Sequence, residues 1–421
     1  MAPGGSGVMQ DTELYRHVLG LEKPWKVDRV ELDIRGERVD VWAVHEEGLR
    51  WVCPECRTEL AIYDHAPERI WRHLDTCQFK TFLHARVPRV ECPTHGVKQV
   101  SIPWAEAKSR FTALFERLAI DMLQVSDIEG AGKILRVSWD EAWGIMERAV
   151  ARGRKRKKRR VVRKMGVDEK SAARGHNYLT IVSDLERGTV EYLGDNRDEG
   201  SLDGYLGKLS PKRREKIESI AVDMWDPYLA SIRKHVPDAE EKVVFDRYHL
   251  MTHMGKAVDE VRKAEHRELV QNDDERLKGT KYLWLYSKEN VPKEKTGWLR
   301  GLRRMNLRTA RAWAIKENFR ELWRFFRRSW AEKHFKAWFF WATHSKLAPV
   351  ITAAWTFKRH LAQILNYVQH RITNAVSEGL NSKIQTIKKK AYGFRNRENL
   401  KTSIFFHCGG LNLYPVTHKN V

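Results

Sequence analysis

The sequence predicts a multidomain α+β protein: a β-rich zinc-binding module, a helix-turn-helix, and an α/β core interrupted by an all-helical insertion. Two short cysteine motifs lie among alternating apolar and polar runs in about the first 100 residues. β-rich runs return after residue 165, and after residue 250 the pattern is almost wholly helical. A chain of 421 residues is long enough for several such domains.

The composition points to a phosphate-rich partner. Lysine and arginine number 77 against 55 acidic residues, a net charge of +22 with a pI of about 9.7. This balance favours nucleic acid. No apolar run approaches the roughly 18 residues of a membrane span, and the N-terminus lacks the apolar segment of a signal peptide. The small and odd number of cysteines, five, indicates a reducing compartment. We therefore expect a cytoplasmic, nucleoid-associated protein with no membrane partner.

Residues 1–104 are predicted to form the zinc module. A hairpin is expected over residues 26–52, and a second alternating run follows at residues 80–90. A CxxC pair and a CxxH pair together supply the four ligands of one structural, tetrahedral Zn²⁺. These ligands are Cys53, Cys56, Cys92 and His95.

A second ligand set is left open, in which His73 and Cys77 replace Cys92 and His95, since a His-x₃-Cys spacing also suits zinc. Cys408 is expected to be a core thiol.

Residues 105–150 are predicted to form a helix-turn-helix. Ser126 or Asp127 caps one short helix, a turn follows at residues 135–137, and Ser138 with Glu141 forms a capping box for the next helix. The candidate DNA contacts here are Lys133, Arg136, Ser138 and Trp139.

Residues 151–164 form a block of basic charge with no apolar period, predicted to be a solvated linker or an arm that holds the DNA backbone. Its candidate DNA contacts are Arg154, Lys155, Arg156, Lys157, Lys158, Arg159 and Arg160.

Residues 165–250 are predicted to form the first part of the α/β core. Asp168 and Asp223 each end a short predicted strand, and functional groups gather at the carboxyl ends of strands. Neighbouring carboxylates repel each other, and a pair of Mg²⁺ or Mn²⁺ ions would explain their proximity. Spacing alone leaves Asp246 and Asp184 as competitors.

Residues 251–370 are predicted to form the all-helical insertion. Most of its tryptophans are expected in the core, and Trp284 and Trp298 are candidates to stack on an unpaired base.

Residues 371–421 are predicted to complete the core with an amphipathic helix, capped by Thr373 or Asn374 and ended near Gly393. Glu378 is its single acid and the candidate third metal ligand, with Gly379 expected to allow close packing on the strands. The candidate phosphate contacts on and after this helix are Lys383, Lys388, Lys389, Lys390 and Arg395.

Three blocks of the chain resemble insertion-sequence transposases of the DDE type, specifically the ISL3 family. They are GVDEKSAARGHNYLTIVSDLERGTVEYL, AVDMWDPYLASIRKHVPDAEEKVVFDRYHL and SEGLNSKIQTIKKKAYGFRNRENL. The resemblance implies a ribonuclease-H-like core with Asp168, Asp223 and Glu378 as the catalytic triad. It also implies that Arg247 and His249 line the DNA path, and that His95 stands where the family usually has a fourth zinc-binding cysteine.

The expected activity is that of a dimeric DNA transposase. It would bind the terminal inverted repeats of double-stranded DNA, hydrolyse the phosphodiester at each element end, and join the 3′-OH to target DNA by two-metal catalysis. The alternatives are a metal-dependent nuclease or resolvase on the same core without strand transfer, and an inactive DNA-binding repressor.

Overall fold

The computed structural model describes residues 10–158, 160–173, 177–372 and 375–416. The chain divides into two compact units, Met1–Lys157 together with Leu411–Val421, and Lys158–Gly410.

The described part of the first unit begins with a short helix and nine strands. They are α1 (Asp11–Val18), β1 (Trp25–Asp33), β2 (Arg38–His45), β3 (Trp51–Val52), β4 (Glu59–Leu60), β5 (Ile62–His65), β6 (Arg69–Arg72), β7 (Lys80–Ala85), β8 (Pro88–Cys92) and β9 (Gly96–Gln99). These strands form sheets of order β1-β2-β7-β6, β3-β4 and β5-β8-β9. Trp25 and Trp71 pack edge-on against Trp104, at 4.7 and 5.6 Å between ring centroids, in the core between the sheets.

In the described part of the first unit, the strands are followed by three helices: α2 (Ala113–Val125), α3 (Ile128–Leu135) and α4 (Trp139–Arg156). Their apolar stripes face one another, and a buried ion network ties α2 to α4. Glu116, 1% exposed, accepts hydrogen bonds from Arg148 at 2.8 Å and from Arg152 at 2.7 Å. The buried acid is fully paired, which is the condition for burying a charge without a large penalty.

The C-terminal residues 411–416 pack within the first unit, where the carbonyl oxygens of Leu413 and Tyr414 accept hydrogen bonds from Arg152 and Arg156. The predicted last domain, residues 371–421, is therefore wrong at its end, because the segment from Leu411 groups with the N-terminal unit.

The predicted linker at residues 151–164 is also wrong in part. Helix α4 continues to Arg156, and within it Arg152 and Gly153 are buried. The helix was not predicted from this basic segment because Arg152 is buried by pairing with Glu106 and Glu116, which are distant in sequence.

The second unit is built on one mixed sheet of order β12-β11-β10-β13-β14. Its strands and connecting helices are β10 (Lys164–Ala173), β11 (Asn177–Asp184), β12 (Thr189–Asp195), α5 (Glu199–Leu206), α6 (Pro211–Glu215), β13 (Ser219–Val222), α7 (Asp226–His235), α8 (Ala239–Lys242) and β14 (Val243–Phe245). β10, β11 and β12 form an antiparallel meander, whereas β13 and β14 run parallel to β10 and are reached through helices. Isoleucine and valine fill the buried faces of the central strands.

After β14 the described residues form helices only. They are α9 (Arg247–Val270), α10 (Lys281–Leu285), α11 (Lys293–Arg304), α12 (Arg308–Arg320), α13 (Arg328–Thr343), α14 (Ala348–Arg359), α15 (Leu361–His370), α16 (Ala375–Lys390) and α17 (Arg397–Cys408), with 3₁₀ turns at Lys288–Asn290 and Glu321–Arg324. One continuous apolar cluster joins β13 and β14 to the helices as far as α15. Across the ranges that the structure describes, no helix combines the length and apolarity needed to cross a membrane.

Candidate functional site

The four predicted zinc ligands converge in the first unit. Their ligand atoms lie within 4.8 Å of one another, with Cys56 Sγ 3.6 Å from Cys92 Sγ and Cys92 Sγ 3.5 Å from His95 Nδ1. Tetrahedral zinc with bonds of about 2.0–2.3 Å needs its ligand atoms roughly 3.5–3.8 Å apart. The donor set Cys53, Cys56, Cys92 and His95 therefore fits one zinc ion.

Hydrogen bonds favour the thiolate that zinc binds. The side chain and backbone of Thr58 lower the pKa of Cys56 to about 6. The alternative ligand His73 instead faces Thr112, with its Nδ1 2.9 Å from the hydroxyl, and burial lowers the pKa of His73 to about 4. The set with His73 and Cys77 does not assemble among the described residues.

The helix pair α3–α4 has the geometry of a DNA-reading motif. Asp127 caps α3 at Gly130 N (2.7 Å), Arg136 in the left-handed conformation (φ 56°) makes the turn, and Ser138 with Glu141 caps α4. A Cβ on Gly132 would lie 3.1 Å from the carbonyl oxygen of Val137, so the turn packs tightly on α3.

The predicted DNA contacts of this motif differ in how they are held. Lys133, Ser138 and Trp139 are exposed. Arg136, in contrast, pairs with Asp75 and lies 4.0 Å from Glu37, which fixes the turn onto the β-rich module. In the basic segment, Arg154, Lys155, Lys158 and Arg160 are exposed, whereas Lys157 is half-buried and ends α4. Arg156 donates to Tyr414 O, and Arg159 lies outside the described residues.

In the second unit, three aspartates lie at one level across neighbouring parallel strands. Gly166 pairs with Ala221 and Ala221 with Val244, so continuing the register by two residues aligns Asp168, Asp223 and Asp246. Asp223 directly follows β13 and Asp246 directly follows β14. Asp168 was expected to end its strand, but β10 continues to Ala173 because β11 pairs with it throughout.

His249, in the first turn of α9, is the cation of this cluster. Its Nδ1 lies 3.1 Å from Asp223 Oδ2 and its Nε2 3.8 Å from Asp246 Oδ2. The hydrogen bond to Asp223, together with the surrounding carboxylates, raises the pKa of His249 to about 9. Burial acts most strongly and would raise the pKa of Asp223. The hydrogen bond from His249 and its charge nevertheless leave that pKa lowered.

Asp168 is differently placed. Burial, with the nearby charges of Glu169 and Asp246, raises its pKa to about 6, against the opposing hydrogen bond from Glu169 N and charge of His249. Its Oδ2 accepts a hydrogen bond from Asn381 Nδ2 at 2.6 Å, which joins β10 to α16. Asn381 was not predicted as a site residue, although its spacing of three residues from Glu378 puts both on one side of the helix.

Glu378 is exposed in the first turn of α16 and lies on the wall of a cavity of about 520 Å³ that Asp246 and Arg247 also line. Asp168, Asp223 and Glu378 do not gather as the zinc ligands do: over the described residues, only the cysteine–histidine group brings three or more ligand atoms within 4.8 Å. Asp184, the other competitor, is buried at the end of β11, where it accepts hydrogen bonds from Glu186 N and Arg187 N of the following turn.

The close approach of α16 to the sheet occurs two residues before the expected position. A Cβ on Gly379 would meet nothing within 4 Å, so the packing role assigned to Gly379 is wrong. A Cβ on Gly166 would lie 2.4 Å from Ser377 Oγ, which makes Gly166 and Ser377 the contact between strand and helix. The predicted caps Thr373 and Asn374 lie outside the described residues.

Among the remaining candidates, the stacking role of Trp284 is wrong, because its side chain is 0% exposed in the core, whereas Trp298 is exposed. Lys383 and Lys388 donate to the carbonyl oxygens of His407 (2.7 Å) and Ser171 (2.6 Å). Lys389, Lys390 and Arg395 are exposed, as is Arg247.

Comparison with known proteins agrees with this arrangement. Residues 165–404 match a family model described as a transposase, residues 49–95 one for the zinc finger of the IS204/IS1001/IS1096/IS1165 transposases, and residues 100–150 one for the helix-turn-helix domain of transposase family ISL3. The chain is thus a transposase with a zinc ribbon and a helix-turn-helix ahead of its transposase domain.

The chain belongs to the ISL3 family of insertion-sequence transposases. It is similar to the transposase for insertion sequence element IS1557 of Mycobacterium tuberculosis, at 25% identity over 93% of this chain and 94% of that protein. It is also similar to the transposase for IS1001 of Bordetella parapertussis, at 24% identity over 82% of this chain and 86% of that protein.

Proposed function

We propose that this transposase cuts the ends of its insertion sequence and joins them to target DNA at a carboxylate site formed by Asp168, Asp223 and Glu378. The observation that supports this most is the parallel pairing of β10 with β13, which runs to two residues before Asp168 and Asp223. His249 adds to it, because its imidazole lies 3.1 Å from Asp223 and 3.8 Å from Asp246. The order of the sheet, a meander followed by two parallel strands, supports a ribonuclease-H-like core with helices α9 to α15 as its insertion.

The donor set suits Mg²⁺ or Mn²⁺. Both prefer carboxylate oxygen ligands, and Asp168, Asp223 and Glu378 offer these from three elements. Bound there, a pair of such ions would lower the pKa of water and offset charge on the phosphodiester. Asn381 would fix the Asp168 carboxylate, and His249 would hold Asp223 in place before the ions bind.

Two phosphoryl transfers follow from this proposal. In the first, water attacks the phosphorus at the element end and the element's 3′-OH leaves. In the second, that 3′-OH attacks a phosphodiester of the target, and the target's own 3′-OH leaves. The zinc ribbon and the α3–α4 pair would recognise the terminal inverted repeats, while exposed lysines and arginines would hold phosphates. Joining two ends in one event favours a homodimer.

The deciding experiment compares wild type with Glu378→Gln on a labelled duplex carrying the element's own end, in Mg²⁺ or Mn²⁺. The proposal expects the wild type to nick at the end, and the variant to bind equally well without cutting. Glu398→Gln, on the next helix α17, removes an exposed carboxylate that pairs with Lys401 outside the proposed site, and is expected to keep cutting. Normal cleavage by Glu378→Gln would remove Glu378 from the site.

A further inference from the structure

The cavity beside Glu378 has the size and lining of a small-molecule site. Its volume is about 520 Å³, within the range of roughly 300–1,000 Å³ typical of ligand pockets. The first turn of α9, the loop after α10, the end of α12 and the start of α16 enclose it. A base-paired duplex cannot enter such a space, whereas a single nucleotide can.

Two polar side chains of the cavity, those of Arg247 and Ser287, are available to a ligand. Arg247 is exposed and has no acidic partner among the described residues. The Oγ of Ser287 is buried with no hydrogen-bond partner in the same set. An unpaired buried hydroxyl is costly, so a ligand that bonds to it gains affinity. Arg247 suits a phosphate, and Ser287 suits the polar edge of a base.

Two tyrosines give the cavity an aromatic surface, and the loop that carries one of them is held by hydrogen bonds. Tyr248, which is 64% exposed, and Tyr286 both line the cavity. The buried ammonium of Lys316 donates to the carbonyl oxygens of Trp284, Leu285 and Tyr286 at 3.1, 3.1 and 2.8 Å, so the loop carrying Tyr286 and Ser287 is held in place. Base–aromatic stacking is the main way in which proteins hold unpaired bases.

We infer that this cavity receives one unpaired nucleotide of the element end, with its base against Tyr248 and its phosphate at Arg247. The inference rests on the proposed function, since Glu378 forms part of the wall. Extruding a nucleotide there would open the duplex beside the carboxylates and leave the scissile strand free to reach them. It also reassigns base stacking from Trp284, which is in the core, to tyrosines of the cavity.

The test uses the full-length protein and duplexes with the element's own end, each carrying 2-aminopurine at one position around the cleavage site. In Mg²⁺-free buffer, wild type is expected to raise the fluorescence of one position as that base leaves the stack. Tyr248→Ala should reduce this response about fivefold or more. Asn290→Trp, which fills the cavity from an exposed position, should reduce it as well. Tyr282→Ala is the matched control, because Tyr282 is 66% exposed on α10 but does not line the cavity.

Two results overturn the inference: no position becomes fluorescent, or one does and neither cavity variant changes it. Adding Mg²⁺ to the same duplexes separates this from the proposed function. If the wild type cleaves, Glu378→Gln does not, and no labelled position becomes fluorescent, the proposed function stands and the cavity has no role in it. A fluorescent position that depends on Tyr248, with no cleavage by wild type, supports the cavity and counts against the cleavage reaction.

Discussion

The imidazole Nδ1 of His249 lies 3.1 Å from Oδ2 of Asp223, so the second aspartate of the cluster is paired with a histidine in the first turn of α9. Because this bond raises the pKa of His249 to about 9, the pair is charged at neutral pH. In the metal-free protein, the positive charge of His249 reduces the repulsion between the neighbouring carboxylates, as bound cations do in a metal site.

The first prediction concerns pH. The folded pKa of His249 lies above the unfolded value of about 6.5, so its contribution to stability is complete below about pH 6.5 and is lost as pH rises through about 9. In Mg²⁺-free buffer, the wild-type Tm is expected to fall over this window more steeply than that of His249→Gln. Thermal unfolding at a series of pH values measures this, and parallel curves for the two proteins would contradict it.

The second prediction concerns zinc. Purified protein should carry one zinc per chain, and Cys92→Ala should lose it because three ligands hold zinc more weakly than four. Cys77→Ser is the control, since Cys77 is exposed and outside the ligand cluster. Metal analysis by atomic emission decides. Loss of zinc in Cys77→Ser, with retention in Cys92→Ala, would reverse the ligand assignment.

The third prediction concerns the buried acid between α2 and α4. Glu116→Ala leaves Arg152, itself buried, without one of its two acidic partners. Breaking a buried pair costs about 3–5 kcal/mol, so urea unfolding should show a loss of that order. Glu129→Ala breaks only the exposed pair with Lys133 and should cost less than about 1 kcal/mol. Equal losses for the two variants would mean that the network contributes little.

The fourth prediction separates Asp246 from its neighbours. Asp246 shares their register, yet it caps α9 by accepting a hydrogen bond from Tyr248 N (3.2 Å). Asp168→Asn and Asp223→Asn are expected to reduce end cleavage to background. Asp246→Asn, acting through His249 and the cap, should reduce it by about 10- to 100-fold. Cleavage kinetics at saturating Mg²⁺ measure this, and background activity for Asp246→Asn alone would make Asp246 the ligand.

The sequence predicted what depends on local pattern. The CxxC and CxxH spacing identified the four residues that converge in the first unit, and Ser138 with Glu141 identified the start of α4. It could not predict what depends on partners distant along the chain. The burial of Arg152 needs Glu106 and Glu116, and the length of β10 needs β11. Trp284 was a candidate for base stacking, and its burial could not be predicted because helical periodicity does not show which face another helix covers.

The last prediction concerns the contact between β10 and α16. A methyl group on Gly166 would lie 2.4 Å from Ser377 Oγ and 2.6 Å from Ser183 Oγ. These distances are shorter than van der Waals contact, so the neighbouring atoms would have to shift. Gly166→Ala should therefore destabilise the second unit by about 1–3 kcal/mol. It should also slow end cleavage, because α16 carries both Glu378 and Asn381, the partner of Asp168.

Gly379→Ala provides the matched control on the same helix. A Cβ there meets nothing within 4 Å, and alanine is the better helix former, so stability should rise by roughly 0.5–1 kcal/mol. Adding Ser377→Ala to Gly166→Ala removes one of the two hydroxyls in the way and should recover part of the lost stability and cleavage. If Gly166→Ala and Gly379→Ala behaved alike in urea unfolding, the helix would not be held against the sheet at Ser377.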